Sequence, residues 1–262
     1  MNAAAKSPSA LRRSLVCLRE PETADRFTLG FSAIDGWLAG GLARGALHEI
    51  MAWHAADAAA AAGFTLALAL RSGRKRRKIV WVRHGLAEIE TGLVYAPGLV
   101  ELGVDPGDII LVRVRDALSV LRAGHEAVRC TALSSVVIEL LGERAAPDLT
   151  ATRRLSLAAA RLGVTCFLLR VGTTERPSAA VSRWAVAAAP SLPLAGGAPG
   201  YPTLDVSLLR HRHGIPTRSW RVEWNRDAHR FRSPTLPRAV ASVSSDRPAP
   251  DGENDQIIRR AG

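Results

Sequence analysis

The chain has 262 residues, of which 47% are apolar and 23% are charged, and its formal net charge at pH 7 is +11. This composition predicts a globular protein that buries a sizeable core. No apolar run reaches the ~18–20 residues that a membrane-spanning helix requires, and the N-terminus has no secretory signal pattern, so we expect a cytoplasmic protein without membrane contact.

Three cysteines and the distribution of charge limit the possible partners further. Cys17, Cys130 and Cys166 are far apart and odd in number, which fits neither a disulfide framework nor a zinc site. Basic and acidic residues cancel from Ser233 onward, so the positive excess lies in residues 1–232. A basic core indicates an anionic partner such as nucleic acid, although an arginine-rich proteome produces the same bias without any ligand.

Residues 1–26 are predicted to form an N-terminal arm with a short helix. Ser9 can cap a helix in which Leu11, Leu15 and Leu18 share one face. A helix of this length is not stable alone. We therefore expect it to dock, either on its own core or on a neighbouring subunit.

The next segment, residues 30–70, has the order of a nucleotide-binding unit. A glycine-rich turn leads into the predicted strand Leu47–Met51, and a loop then leads into an alanine- and leucine-rich helix that ends near Leu70. In a phosphate-binding loop this junction would contain G-x-x-x-x-G-K-[ST]. Here the loop consists of Ala52, Trp53, His54, Ala55, Ala56 and Asp57, followed by five alanines. The lysine, the paired glycines and the hydroxyl for Mg²⁺ are missing, so we expect no nucleotide, no cofactor and no metal.

A basic run follows the predicted helix. It is either a solvated turn or a loop that contacts phosphates, and the sequence favours neither. Its residues are Arg74, Lys75, Arg76, Arg77 and Lys78.

Beyond this run, apolar strands alternate with helices, which predicts an α/β fold with a mostly parallel, twisted sheet flanked by helices. Asp116 is expected to cap one helix that ends near Leu133, and Asp148 or Thr150 to start another that ends at Gly163. The predicted strands are Ile79–Val82, Ile109–Val114, Ser135–Leu141 and Thr165–Arg170.

After Pro177 the pattern becomes purely β. Strands are predicted at 185–189, 204–209 and 220–224, and the last two form a C-terminal hairpin around a basic turn. We expect His211 and His213 on this turn to face solvent or phosphate rather than a metal. The basic candidates for nucleic-acid binding here are Arg210, Arg212 and Arg218. Residues 233–262, rich in proline, serine and charge, are predicted to be a disordered tail.

Several of these motifs resemble known proteins. The stretch GFSAID at 30–35, Gly40-Gly41-Leu42, Gly45 and His48–Ile50 resemble the beginning of the RecA ATPase core. PSAAVSRW at 177–184 and WRVEW at 220–224 are similar to the ImuA family of damage-inducible mutagenesis proteins. The resemblance extends over roughly residues 11–232 and predicts a RecA-like domain at 27–232 without a functional Walker A motif.

The resemblance also assigns expected positions to single residues. Glu139 falls where the Walker B aspartate would hold Mg²⁺, and Glu88 or Glu90 lies near the catalytic glutamate of RecA-like ATPases. Arg170 follows a strand where relatives carry a polar nucleotide sensor, and it would offer a fixed positive charge instead. The loop at 173–176 is shorter than the DNA-binding loop of RecA.

For function, the resemblance implies a non-catalytic adaptor in DNA repair and the SOS response. Its partners would be an ImuB-like homologue of the Y-family polymerases and an error-prone polymerase of the replicative type, acting in translesion synthesis near the nucleoid. DNA, RecA and a second copy of the chain are further candidates. Two alternatives stay open: a cell-division inhibitor of the SulA type, which shares a degraded RecA core, and a divergent ATPase. No Ser/His/Asp, Cys/His or paired-carboxylate arrangement indicates a catalytic residue.

Overall fold

The computed structural model describes residues 25–73, 78–85 and 87–234. The predictions made for residues 1–24, for the basic run 74–77 and for the tail from 235 onward lie outside these residues. The strands are β1 (Arg26–Phe27), β2 (Leu42–Ala43), β3 (Leu47–Ala52), β4 (Ile79–His84), β5 (Ile109–Val114), β6 (Ser135–Leu141), β7 (Thr165–Val171), β8 (Ser182–Ala189), β9 (Thr203–His211), β10 (Arg218–Asn225) and β11 (Arg230–Arg232).

Nine of the described strands form one mixed sheet in the order β11-β10-β9-β8-β3-β7-β6-β4-β5. Neighbouring strands from β8 to β5 are parallel, and those from β8 to β11 are antiparallel. This arrangement confirms the predicted α/β class with a mostly parallel sheet and a C-terminal hairpin, and it is consistent with a RecA-like core. Strand β9 extends through His211, so Arg210 and His211 belong to a strand and not, as predicted, to the turn.

The helices are α1 (Ser32–Trp37), α2 (Ala58–Ser72), α3 (Ala87–Thr91), α4 (Ala96–Glu101), α5 (Ala117–Val128) and α6 (Leu149–Leu162). The predicted caps are confirmed, since Asp116 accepts a hydrogen bond from the Ser119 amide at 2.8 Å and Asp148 accepts one from the Ala151 amide at 2.7 Å. Helix α5 ends earlier than predicted, at Val128. The chain turns after the helix and buries Leu133 just before β6 begins.

The sheet separates two apolar clusters. Helix α2 and the short helices α1 and α4 lie against one face, where Ile50, Phe64 and Phe167 are buried. Helices α5 and α6 cover the opposite face, where Ile138 and Leu155 are buried. Buried strand residues alternate between the two clusters, as the period of a strand requires.

Helix α2 is largely buried: nine of its fifteen residues are buried, and most of its side chains are apolar. The C-terminal strands continue around it, because the Phe64 ring lies 5.9 Å from that of Trp184 and 5.3 Å from that of Phe231. The Trp224 indole N–H donates to the Leu102 carbonyl at 2.9 Å and joins β10 to the end of α4. The many alanines of α2 allow this close approach of the sheet.

A buried polar chain runs through β3 and β8. The Trp184 indole N–H donates to the Ser182 hydroxyl at 3.0 Å, and that hydroxyl lies 2.7 Å from Nδ1 of His48. The other ring nitrogen, Nε2, lies 2.8 Å from the Ala43 carbonyl, which only accepts, so Nε2 carries the proton and Nδ1 accepts from Ser182. Burial of the imidazole lowers the pKa of His48 to about 4.

This pKa predicts a loss of stability in mild acid. In the unfolded chain the imidazole has its ordinary pKa of about 6.5, so as pH falls from 6.5 towards 4 the unfolded state binds a proton that folded His48 does not. The free energy of unfolding should fall by about 3 kcal/mol across this window through His48 alone. Urea denaturation at both ends of the window measures it. His48→Gln, which cannot titrate, should show a smaller pH dependence, and an identical pH dependence in both proteins would contradict the assignment.

Candidate functional site

The candidate site lies where β3, β4 and β6 end, the edge at which open α/β sheets bind ligands. A cavity of about 210 Å³ opens there between the first turns of α2 and the segment 91–102. It is smaller than the roughly 300–1,000 Å³ of ordinary ligand pockets. Its lining includes Ala59, Gly63, Trp81, Arg83, Tyr95 and Glu139.

The loop between β3 and α2 forms a single 3₁₀ turn, Ala55–Asp57, instead of a wide phosphate-binding loop. Ala52 is buried at the end of β3, whereas Trp53 and His54 are exposed. Oδ1 of Asp57 accepts a hydrogen bond from the Ala188 amide of β8 at 2.9 Å. Asp57 also precedes the first residue of α2, where the helix dipole favours negative charge. The position that suits a bound anion therefore carries a carboxylate of the protein itself.

Glu139, at the Walker B-like position of β6, is held by two side chains of the neighbouring strand β4. Its Oε2 accepts a hydrogen bond from the Trp81 indole at 2.8 Å and lies 2.8 Å from Nε of Arg83. Its Oε1 accepts from Nη2 of Arg83 at 2.9 Å. All three side chains are buried, and the Arg83 guanidinium stacks over the Trp81 ring at 5.2 Å. Both carboxylate oxygens are thus engaged inside the protein.

Arg83 also fixes the chain that follows it. Its Nη2 donates to the Thr91 hydroxyl at 2.9 Å and its Nη1 to the Gly92 carbonyl at 3.2 Å, which positions the end of α3 beside the cavity. Of the two glutamates considered for a catalytic role, Glu88 pairs with Arg113 of β5 at 2.6 Å. Glu90 is exposed on α3.

A second buried ion cluster lies on the neighbouring strands. The Glu49 carboxylate of β3 pairs with two arginines. One oxygen lies 2.8 Å from Nη1 of Arg170, and the other lies 2.8 Å from Nε of Arg183. All three side chains are buried, so the expectation that Arg170 offers a fixed positive charge at its strand end is wrong. Sequence reasoning did not assign Glu49 or Arg183 a role. A charged residue inside an apolar strand was the available signal.

The two arginines of this cluster anchor the loop between β7 and β8. Nη2 of Arg170 donates to the Thr174 carbonyl at 3.0 Å, and Nη1 of Arg183 lies 3.1 Å from Glu175. Glu143, in the turn after β6, also holds this loop, since it accepts hydrogen bonds from the Thr174 amide and from Arg176. The hydrogen bond with Thr174 is the main cause that lowers the pKa of Glu143 to about 2. The segment at which RecA carries a DNA-binding loop is therefore tied down at several points.

The basic candidates that the structure describes all have contacts within the protein. Nζ of Lys78 bonds to the Gly107 carbonyl at 2.8 Å and to Asp108 at 2.7 Å. Arg210 donates hydrogen bonds to the Ser178 and Ala180 carbonyls, each at 2.9 Å. Arg212 donates to the Ala179 carbonyl. Arg218 stacks over the rings of Trp37 and Trp220.

These four residues lie along one edge of the sheet, the edge at which the parallel strands begin. Lys78 precedes β4 and Arg218 begins β10, six strands away, which corresponds to about 29 Å along the sheet at ~4.8 Å per strand. The run 74–77, which is outside the described residues, is bounded by Lys78 on this edge. The candidate cavity is on the opposite edge.

His211 does not face solvent or phosphate as predicted. Its side chain is buried, and burial is the main cause that lowers its pKa to about 3. In the described part of the chain no three His, Cys, Asp or Glu side chains are grouped so that they could hold a metal ion. None of the helices described is both long enough and apolar enough to cross a membrane.

Comparison with known proteins identifies two relatives, although no protein-family model matches the chain. The chain is 34% identical over 213 residues to Protein ImuA of Caulobacter vibrioides strain NA1000 / CB15N. It has the same identity to Protein ImuA of the strain ATCC 19089 / CIP 103742 / CB 15. In both cases the alignment covers 76% of this chain and 77% of the relative.

The buried Arg83–Glu139 pair predicts strong coupling between two substitutions. Glu139→Leu or Arg83→Met alone leaves one buried charge without its partner and should lower the free energy of unfolding by about 3–5 kcal/mol. The double variant should lose less than the sum by at least ~1 kcal/mol, because no lone charge remains. Urea denaturation of the four proteins measures this coupling. Arg113→Met, which breaks the more exposed pair with Glu88, should cost at most about 1 kcal/mol. Additive losses at Arg83 and Glu139 would contradict the pairing.

Proposed function

This chain belongs to the ImuA family, and on that premise we propose that it acts in damage-induced mutagenesis as a non-catalytic adaptor for an error-prone translesion polymerase complex. The partners we propose are an ImuB-like homologue of the Y-family polymerases and an error-prone polymerase of the replicative type. An adaptor holds such proteins together through its surface, so the role needs no catalytic group in this chain.

The state of Glu139 is the observation that supports a non-catalytic role most directly. A carboxylate that holds Mg²⁺ needs a free oxygen, and both oxygens of Glu139 already contact Arg83. Binding a metal here would require Arg83 to leave, and a buried guanidinium without its counter-charge costs several kcal/mol. The pair therefore opposes metal binding at the point where a RecA-like ATPase requires it.

The junction between β3 and α2 supports the same conclusion. Residues 52–63 contain no lysine or arginine. Asp57 stands at the start of α2, where its carboxylate accepts a hydrogen bond from the Ala188 amide. This negative charge would repel a triphosphate placed over that helix. Losing the charge-assisted contact of a phosphate-binding lysine alone forfeits roughly 1.5–3 kcal/mol.

A variant at the cavity rim separates the adaptor from a nucleotide-dependent protein. Ala59 is exposed in the first turn of α2, where glutamate is well tolerated by the helix dipole. Ala59→Glu adds a second carboxylate where phosphates would bind. In a strain that lacks the native gene, we expect this variant to restore damage-induced mutation as well as wild type does. We also expect it to co-purify the Y-family homologue from damaged cells.

The matched control is Ala59→Ser, which changes the same position without adding charge. Suppose that Ala59→Glu lost mutagenesis, kept its melting temperature, and that Ala59→Ser remained active. The chain would then depend on a bound anion, and the divergent ATPase would replace the adaptor as the better hypothesis.

We also propose direct contact with DNA. Its candidate surface is the basic edge with Lys78, Arg210, Arg212 and Arg218, together with the run 74–77 that precedes Lys78 in the sequence. Arg76→Glu combined with Arg77→Glu should weaken DNA binding and flatten its salt dependence, by about 0.9 in log–log slope for each phosphate that the protein no longer neutralises. Gel shifts over a series of salt concentrations measure both. Arg153→Glu with Arg154→Glu on α6 changes the net charge equally and serves as control. Equal effects of the two pairs would mean that only overall charge matters, and this run would then be a solvated turn.

A further inference from the structure

A cluster of large apolar side chains is exposed beside the candidate cavity. Ile89, Leu93, Tyr95 and Val100 are 78%, 67%, 70% and 60% exposed, respectively, and lie within twelve residues of one another on α3, α4 and the link between them. Four large apolar side chains exposed so close together in the chain mark a candidate binding surface, because monomeric proteins seldom leave large apolar patches uncovered. We call these four residues the α3–α4 surface.

The α3–α4 surface is set in the most acidic part of the described chain. Residues 87–108 contain five carboxylates and no lysine, arginine or histidine, although the whole chain has a net charge of +11. Three of the carboxylates contact Arg113, Arg226 and Lys78 from neighbouring elements, which leaves an excess of negative charge. The five are Glu88, Glu90, Glu101, Asp105 and Asp108. An occupant of this surface should therefore combine apolar and basic side chains.

One segment outside the described residues has this combination. Residues 11–19, Leu-Arg-Arg-Ser-Leu-Val-Cys-Leu-Arg, contain three arginines and no acidic residue. Leu11, Leu15 and Leu18 have the spacing of one helix face. The segment thus matches the α3–α4 surface in both apolar character and charge.

The point at which this segment joins the described chain places it within reach. Asp25 and Ser134 line the same cavity. The Ser134 amide donates a hydrogen bond to the Lys78 carbonyl, and the Lys78 side chain forms an ion pair with Asp108. Asp25 and Asp108 therefore lie on the same edge of the sheet. From β3 to β5 there are four strand spacings, about 19 Å in total, and residues 19–24 can span about 20 Å when extended. The turn Pro106–Asp108 contacts α4, so an extended linker that reaches Asp108 ends beside the part of the surface that contains Val100. Nine residues in a helix would extend about 14 Å from there.

We infer that residues 11–19 dock on the α3–α4 surface of their own chain. Leu11, Leu15 and Leu18 contact the exposed apolar side chains, and the arginines lie among the carboxylates of residues 87–108. This contact goes beyond the adaptor role and does not depend on it. It gives the apolar surface an occupant when no partner protein is bound.

A cysteine on the leucine face makes the contact testable in the full-length protein. Leu18→Cys and Val100→Cys are introduced together with Cys17→Ser and with Cys130→Ser, which removes an exposed thiol, while Cys166 stays buried. Under mild oxidation we expect an intramolecular disulfide between the thiols at positions 18 and 100, since docking brings the two within the ~4.4–6.8 Å between Cα atoms that such a bond requires. Non-reducing gels and mass spectrometry of the digest identify it.

Leu157→Cys is the matched control, because Leu157 is 62% exposed but lies on α6 at the opposite face of the sheet. A much higher yield at position 100 than at position 157 supports docking. Arg12→Glu with Arg13→Glu should then lower that yield severalfold. A disulfide-linked dimer would place the segment on a second copy and overturn docking within one chain. Equal yields at both positions or no disulfide would also overturn it. So would a yield that stays the same when Arg12 and Arg13 are replaced by glutamate.

Discussion

A charge buried inside a sheet must have a partner, and this constraint determines what the strand ends of this protein can do. Glu139 is paired with Arg83 and Trp81, and Glu49 is paired with Arg170 and Arg183. Each pairing joins neighbouring strands, so it helps to fix the strand order as well as to neutralise charge. Glu139, which the resemblance places at a Mg²⁺-binding position, instead joins β6 to β4. This pairing supports the proposal of a non-catalytic adaptor.

Much of the fold could be predicted from the sequence because its signals are local. Continuous apolar runs marked β4, β6 and β7, and the caps at Asp116 and Asp148 marked two helices. The packing of α2 against the C-terminal strands could not be predicted in the same way. A mostly apolar helix indicates that much of it is covered, but the contacts of Phe64 with Trp184 and Phe231 join residues more than a hundred positions apart.

The strand positions of single residues were predictable, but their contacts were not. Glu139 was expected at its strand end, whereas its pairing with Arg83 depends on β4 lying next to β6, which no local pattern reveals. Arg170 was placed correctly on β7, but its long side chain turns into the protein towards Glu49 instead of marking the strand end. His211 was assigned to a turn because the alternation of β9 is imperfect there, and two further residues of strand pairing bury it.

The central claim is that an adaptor of the proposed kind holds no triphosphate at the junction between β3 and α2. A ligand that binds only the folded state raises its stability, by about 2.7 kcal/mol at one hundred times its dissociation constant. The melting temperature of the full-length protein with and without excess Mg-ATP therefore tests the claim directly. We predict no change. A rise that increases with the concentration of Mg-ATP, and is absent in Ala59→Glu, would contradict it.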